Sequence, residues 1–227
     1  MPDIRRGRHG EVPPRGRPEL NHSFPQYPVS LDLQDRPCLV VGGGAVATRK
    51  VAGLVSCGAR VKVVAPDVRD EIRGMPMVEV HQRPYQRGEV TGYRLVMAAT
   101  DDPEVNAGVY HDCESAGVWI NAADEPASCS FTLPAVLRRE AVTVAVSTGG
   151  SSPALAAWLR GRLAEWVGPE IGAAAALLAE ARRELKAAGR STERVDWQSV
   201  LDSDMLEQLK AGHVDRAKEL MRRCLFS

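Results

Sequence analysis

The sequence predicts an α/β fold in which a doubly wound parallel sheet carries helices on both faces. Short apolar runs, each of four to six residues, alternate with longer segments of helical composition between residues 38 and 121. The first of these runs leads directly into three glycines, Gly42 to Gly44, and then into a helix that opens with small residues. Alternation of this kind is typical of a parallel sheet whose ligands bind at the carboxyl ends of the strands.

Five strands are predicted in this part of the chain: 38–41, 60–65, 78–81, 94–99 and 118–121. A helix is predicted to begin at Pro103, because proline lacks the N–H that the first helical turn leaves unused, with Asp101 or Asp102 as its cap. It is expected to run to about Ser115 and to stop at Gly117.

The glycine cluster matches the G-x-G-x-x-A pattern of dinucleotide-binding, Rossmann-like domains. Gly42 is expected to permit the tight turn, Gly44 to let a pyrophosphate approach the backbone, and Ala47 to let helix and strand pack closely. The amino terminus of the helix then offers N–H groups and a positive dipole end to the phosphates. The segment therefore predicts a dinucleotide cofactor.

The end of the second strand bears on the choice of cofactor. Asp67 follows Pro66 there, slightly later than the acidic residue that holds the ribose hydroxyls of NAD in such domains. Two interpretations stay open, because an aspartate in this position also caps turns. Arg69 is close in sequence, yet no arginine stands at the very end of the strand to favour a 2′-phosphate. NAD is therefore predicted in preference to NADP.

Three segments follow strand ends and should converge on one crevice: 42–47, 100–102 and 121–124. Asp101 and Asp102 have an alternative role as caps of the following helix. Cofactor contacts are predicted for Gly42, Gly43, Gly44, Ala45, Val46, Pro66, Asp67, Thr100 and Asp101.

Composition narrows the class of protein. Lys and Arg together number 29, as do Asp and Glu, so no nucleic-acid partner is indicated. No apolar run approaches the length of a membrane span. The five cysteines are scattered and the histidines lack metal-ligand spacing, which favours a reduced, cytoplasmic chain without a structural metal. Residues 1–24 are predicted to form a disordered basic tail and not a secretory signal.

The pattern changes after residue 130. Two strands are predicted at 131–136 and 142–146, joined by the charged turn 138–140, and a helix at 153–167 follows. That helix has apolar residues at helical spacing, as in a core or a dimer interface: Leu155, Leu159, Leu163 and Trp166. The predicted domains are 1–24 (tail), 25–130 (NAD-binding domain), 131–167 (small α+β dimerisation region) and 168–227 (helical C-terminal region).

A loop of glycines and hydroxyl residues, 147–152, precedes that helix. Such a loop offers N–H groups to an anion, and it is equally an ordinary capping loop with Ser151 or Ser152 as the N-cap. Substrate contacts are predicted for Ser147, Thr148, Gly149 and Gly150. Four arginines in the adjoining sequence supply positive charge, with solvated surface charge as their alternative role: Arg138, Arg139, Arg160 and Arg162.

Four motifs occur in a fixed order within residues 24–166: VGGGAVATRK (41–50), AATDDPEVN (98–106), NAADEPASCSFTLPA (121–135) and VAVSTGGSSPALA (144–156). In sequence and spacing they resemble the precorrin-2 dehydrogenase family, also known as sirohydrochlorin ferrochelatase. The same module forms the amino-terminal part of multifunctional siroheme synthase.

The resemblance implies oxidation of precorrin-2 to sirohydrochlorin with NAD as hydride acceptor, in siroheme biosynthesis. Many members of the family then insert Fe²⁺, as a substrate, into the same tetrapyrrole. The resemblance also implies that Asp124 is the catalytic residue, acting as a general base. Asn121 is predicted to contact the substrate and to orient the loop rather than to react. Taken without the resemblance, Asp124 is more often a turn cap.

A homodimer, formed through the segment after the nucleotide domain, is implied as well, although the sequence alone equally allows a monomer. Two alternative functions remain within or near the family: a member that only dehydrogenates, and a non-enzymatic NAD-sensing module that binds the cofactor without turnover. A dehydrogenase for a small hydroxy or carbonyl substrate is disfavoured, because the chain has no Tyr-x-x-x-Lys pair.

Overall fold

The computed structural model describes residues 26–123 and 125–226. Asp124 and the predicted tail at 1–24 lie outside the described residues. The described part divides between Thr132 and Leu133 into two compact units.

The first unit is built on a five-stranded sheet with the order β3-β2-β1-β4-β5, in which every pairing is parallel. The order reverses beside β1, which has β2 on one side and β4 on the other. The predicted Rossmann-like fold is confirmed, and the ligand crevice of such folds opens at this reversal. The elements are β1 (Pro37–Val41), α1 (Ala45–Val55), β2 (Arg60–Ala65), α2 (Asp70–Arg73), β3 (Val78–Gln82), β4 (Leu95–Ala98), α3 (Pro103–Ala116) and β5 (Trp119–Ala122).

Strand β1 shows why an uninterrupted apolar run becomes a central strand. Cys38 and Val40 pack into a core on one face of the sheet, whereas Leu39 and Val41 pack into a core on the other face. All four side chains are buried. Because successive side chains of a strand point to opposite faces, a strand covered on both sides is apolar throughout.

Helix α3 has the ends that its sequence predicts. Asp102 is the N-cap, and its carboxylate accepts hydrogen bonds from the backbone N–H groups of Glu104 and Val105. Pro103 occupies the first helical turn, where its missing N–H costs nothing. Gly117 ends the helix in the left-handed conformation with φ 65°.

The connection from β3 to β4, residues 83–94, crosses the sheet as turns and irregular backbone. It passes over the face whose core contains Leu39, and Val90 is buried in that core. Tyr85 and Tyr93 pack against the same core. Apolar side chains of the connection thus cover part of the sheet that a crossover helix covers in other folds of this type.

A carboxylate on α3 fixes this connection. Asp112 accepts hydrogen bonds from the Tyr85 hydroxyl (2.7 Å), the Arg87 guanidinium (2.7 Å) and the Gly88 N–H (2.8 Å). The Arg87 bond, together with the other donors, holds the pKa of Asp112 well below its usual range. Burial and the bond to Asp112 raise the pKa of Tyr85.

The second unit contains an antiparallel hairpin and five helices: β6 (Ala135–Arg139), β7 (Val142–Val146), α4 (Pro153–Trp166), α5 (Pro169–Ala187), α6 (Trp197–Leu201), α7 (Met205–Lys210) and α8 (Val214–Phe226). The predicted strand pair and helical region are confirmed, and the strands of the pair are antiparallel. Buried residues of α5, α7 and α8, such as Leu177, Met205 and Met221, form the core of the helical part. In the described part of the chain, no helix is both long and apolar enough to span a membrane.

The first hairpin strand lies later than predicted: it covers Ala135–Arg139 and not 131–136, and the turn is Glu140-Ala141 and not 138–140. Arg139 pairs with Val142 in the register, so the charged pair that suggested a turn belongs to the strand. Glu140 adopts φ 51°, which suits the positive-φ geometry of a two-residue hairpin turn.

Candidate dinucleotide-binding site

The three glycines after β1 lie in different surroundings. Gly42 has φ +124°, and a Cβ atom built on it would overlap the backbone carbonyl of Ala99 at the end of β4. A Cβ on Gly43 would overlap the carbonyl of Asp67, which follows β2. These two positions therefore need glycine because backbone packs against them. Gly44 has nothing within 4 Å of a built Cβ, so it faces open space.

The amino terminus of α1 begins at this open glycine. Gly44 is the N-cap, with no capping side-chain hydrogen bond and no acidic residue in the first turn of the described helix. The first N–H groups of a helix have no partner within the helix, and they carry the positive end of its dipole. Ala47 is buried against the sheet, which brings helix and strand close together. This geometry can seat an anionic diphosphate.

Pro66 and Asp67 lie exposed at the end of β2. The chain after them returns to the glycine loop, where the N–H of Arg69 donates to the carbonyl of Gly43 over 3.1 Å. Arg69 is the N-cap position of α2, and no side-chain cap bond is formed there in the described residues. Asp67 thus does not cap the next helix, and its contact with a ribose remains a prediction.

The turn after β4 is held by an amide that the sequence analysis did not single out. The side chain of Asn106, which is buried on α3, accepts from the Thr100 hydroxyl (2.9 Å) and donates to the Thr100 carbonyl (3.0 Å). Of the two aspartates that follow, Asp102 is the helix cap and Asp101 is exposed. The structure therefore decides which of the two aspartates caps the helix. The cofactor contacts of Thr100 and Asp101 remain predictions.

The segment after β5 is closed into a loop at its base. Ser130 bonds to the N–H of Ile120 through its hydroxyl (2.7 Å) and to the carbonyl of Ile120 through its N–H (2.8 Å). Inside the loop closed by this pair, the Cys129 thiol accepts a hydrogen bond from the N–H of Ala122 (3.2 Å). These bonds fasten residues 129 and 130 to the end of β5. Burial raises the pKa of the Cys129 thiol.

Asn121 lies at the carboxyl end of β5, next to β4 in the sheet. Its side chain is buried, and its amide donates to the carbonyl of Phe131 (3.0 Å). Its amide oxygen accepts from the ammonium group of Lys50, on α1, over 2.5 Å. Lys50 belongs to the VGGGAVATRK motif, but sequence reasoning missed it, because a contact between residues 71 positions apart leaves no local pattern.

The loop at residues 147–152 belongs to the second unit. Ser152, and not Ser151, is the N-cap of α4, and its hydroxyl accepts from the N–H of Leu155. The Thr148 hydroxyl bonds to the N–H and the carbonyl of Ser152, each over 3.1 Å. Gly149 and Gly150 both have positive φ angles. The loop is therefore built as a capping structure, and its substrate contacts remain predictions.

Arg139 and Arg162, near that loop, have partners within the second unit. Arg139 donates to the carbonyl of Val167, just after α4, over 3.0 Å. Arg162 pairs with Glu165 on the exposed side of α4. In the described residues no group of His, Cys, Asp and Glu side chains is placed to hold a metal ion.

Two family models match the chain. The NAD(P)-binding model matches residues 29–135, and the model described as sirohaem biosynthesis protein, central, matches residues 139–165. The first model corresponds to the unit that contains the glycine loop, so the prediction of a dinucleotide-binding domain is confirmed.

Curated relatives of the chain include siroheme synthases. The protein from Nitrosococcus oceani is 38% identical over 206 residues, which cover 88% of this chain and 44% of the relative. The protein from Thioalkalivibrio sulfidiphilus is 38% identical over 204 residues, covering 88% and 42%. The chain thus spans less than half the length of these relatives.

Among solved structures, SirC, a precorrin-2 dehydrogenase, has a similar fold, with a TM-score of 0.63, 24% identity, and coverage of 88% of this chain and 98% of that one. Both family models, the siroheme synthase relatives and this shared fold agree with the four motifs. Over most of its length the chain is similar to siroheme synthases, and it shares the fold of a precorrin-2 dehydrogenase.

Proposed function

We propose that this protein catalyses the NAD-dependent oxidation of precorrin-2 to sirohydrochlorin in siroheme biosynthesis. The observation that carries the proposal is the arrangement of the family motifs at one edge of the sheet. The glycine loop and the Thr100 turn follow β1 and β4, and Asn121 lies near the carboxyl end of β5. These three strands are neighbours in the sheet. A cofactor at the glycine loop would therefore lie beside the loop that carries the candidate base.

The residues present fit NAD. A Cβ on Gly44 would fill the open space at the helix terminus, where the diphosphate needs close approach to the backbone. The exposed carboxylate of Asp67 is available to the ribose hydroxyls, as NAD requires. When bound, NAD supplies the acceptor for the hydride that leaves the substrate. The protein supplies the position of both molecules and the group that takes the proton.

We assign that proton to Asp124. Dehydrogenation removes one hydride and one proton, so a carboxylate beside the reacting carbon serves as the general base. In the chain, Asp124 follows Ala123, whose N–H donates to the carbonyl of Ala98 on β4 over 2.8 Å. The closure of the loop at Ser130 and Cys129 supports this assignment, because a base acts efficiently only when its backbone is held in place.

The substrate carries eight carboxylates, so its site should present N–H groups and cations. We propose that Ser147, Thr148, Gly149 and Gly150 contribute N–H groups, which the positive φ angles of the two glycines support. The amide of Asn121 already bonds within the protein, which supports an orienting role beside any substrate contact.

We further propose that the protein is a homodimer in the cytoplasm. Helix α4 presents three large apolar side chains to solvent at helical spacing: Leu155 is 48% exposed, Trp158 60% and Trp166 79%. An apolar stripe of this kind is typical of an interface. The cytoplasmic location is supported by the cysteines, none of which forms a disulfide within the described residues.

Insertion of Fe²⁺ into sirohydrochlorin is a second candidate activity, favoured because the relatives are siroheme synthases. Metal insertion requires the pyrrole nitrogens to lose protons, so the same base could act in both steps.

Anaerobic incubation of the pure protein with enzymatically generated precorrin-2 and NAD tests both activities. Appearance of the sirohydrochlorin spectrum only when protein and NAD are present would support the oxidation. A later, protein-dependent change to the siroheme spectrum on addition of Fe²⁺ would support the chelatase. Cofactor binding without oxidation would overturn the proposal and favour an NAD-sensing module.

A further inference from the structure

We propose that Lys50 is a positioning residue: its ammonium group fixes the Asn121 amide and, through it, the loop from Ala122 to Ser130 in which Asp124 lies. The kinetic part of this inference rests on the proposed oxidation. The structural part, the ordering of the loop by Lys50, does not.

The chemistry of the partners determines the orientation of the amide. Lys50 has only donors, so it must face the amide oxygen of Asn121, which it contacts over 2.5 Å. The carbonyl of Phe131 is only an acceptor, so it must face the amide nitrogen, at 3.0 Å. The Asn121 side chain thus joins α1, the end of β5 and the far end of the loop in one defined arrangement.

Burial makes this arrangement costly to lose. Asn121 is only 8% exposed, so an amide oxygen deprived of Lys50 would have little access to water. A buried polar atom without a partner destabilises its surroundings, and a charged donor makes the stronger hydrogen bond. Without the ammonium group the Asn121 amide keeps its donor contacts to the Phe131 carbonyl and the Cys129 thiol but loses the link to α1.

The position of Lys50 also connects the two halves of the proposed site. It lies on α1, whose amino terminus is the candidate diphosphate seat, and it reaches the end of β5. Any small displacement of the base relative to the cofactor should lower the rate of the chemical step, since a misplacement of about 1 Å can cost about 10²-fold.

Three variants and one control test the inference. Lys50→Met removes the cation and keeps the length of the side chain, Lys50→Arg keeps a charged donor, and Asn121→Ala removes the acceptor. Arg49→Met is the matched control, because Arg49 is exposed at the neighbouring position of the same helix. Hydrogen exchange of the amides from 122 to 130, in the protein without substrate, reports on the loop whether or not the chain is an oxidoreductase.

Lys50→Met and Asn121→Ala should each speed exchange in the loop and lower kcat by about 10- to 100-fold, with KM for NAD little changed. Lys50→Arg should recover much of kcat, and the double variant Lys50→Met/Asn121→Ala should be no worse than the poorer single variant, because the two residues act as one unit. Arg49→Met should behave as wild type.

A Lys50→Met protein with unchanged loop exchange and unchanged kcat would overturn the inference, as would additive losses in the double variant. If the wild-type protein does not oxidise precorrin-2, the proposed function fails. The exchange measurement then still decides whether Lys50 orders the loop.

Discussion

The contrast between Gly43 and Gly44 predicts two neighbouring substitutions with opposite effects. Gly44 faces open space and has φ −83°, so a side chain is sterically accepted there in the protein without cofactor. In Gly44→Asp the new carboxylate stands at the N-cap of α1. Aspartate at an N-cap stabilises a helix by roughly a few tenths of a kcal/mol relative to glycine, so the variant should melt no lower than wild type.

Binding of NAD should suffer at the same time. The new side chain fills the space through which the diphosphate approaches, and it brings like charges together. Two unit charges about 4 Å apart at an effective dielectric constant of 20 repel by about 4 kcal/mol, which corresponds to roughly a 10³-fold loss of affinity.

Gly43→Ala should instead lower the stability of the fold. Its Cβ would overlap a backbone carbonyl, that of Asp67, which cannot move as a flexible side chain does. Overpacking typically costs about 1–3 kcal/mol, so this variant should melt lower than wild type. Isothermal titration with NAD measures the affinity of both variants, and thermal melts measure their stability. Wild-type affinity in Gly44→Asp, or equal destabilisation of both variants, would refute the reasoning.

Three further predictions concern other parts of the chain. Asp124→Ala should bind NAD normally but lower the rate of precorrin-2 oxidation by about 10²- to 10⁴-fold, the usual contribution of a positioned base; an unimpaired rate in the spectral assay would remove Asp124 from the mechanism. Asp112→Asn should destabilise the protein near neutral pH, since the wild-type carboxylate has a lowered pKa and three donors. The stabilisation by Asp112 is fully present above its unfolded pKa of about 3.9 and is lost as the pH falls towards the lower folded value. The difference in urea unfolding between the two proteins should therefore shrink below about pH 4, and a constant difference would exclude ionisation as its cause. Trp158→Glu should shift the protein from dimer to monomer in sedimentation velocity, whereas a wild-type monomer would show that the apolar side of α4 has another occupant.

The sheet of the first unit was predictable because its strands are buried on both faces. Burial of that kind forces continuous apolar runs, and the glycines and Pro103 mark the places where the chain turns. The hairpin strand was placed too early for a related reason. Phe131 looks like a strand residue in the sequence, but its carbonyl is engaged by Asn121, so it closes the preceding loop.

The site was predictable where a local rule applies and not elsewhere. Asp102 and Ser152 are caps because their positions relative to the helix start require an acceptor. Asn106 and Lys50 could not be identified in this way. Their partners are turns and strand ends brought close by the fold, and an amide or a lysine on a helix has no special spacing that indicates such a partner.

In the segment after β5, the residues that close the loop are constrained by their hydrogen bonds, whereas the turn at the far side of the loop is not. Ser130, Cys129 and Asn121 tie the base of the loop to the strand, and none of these bonds passes through the 3-10 turn Pro126–Ser128 at its far side. Residues of that turn can therefore be exchanged between family members, or lengthened, while the strand end keeps its place. An insertion between Asn121 and Ala122 would instead displace the N–H of Ala122 from the Cys129 thiol and so break the innermost closing bond. The fold thus contains a small region that can change in sequence or in length without rebuilding the sheet.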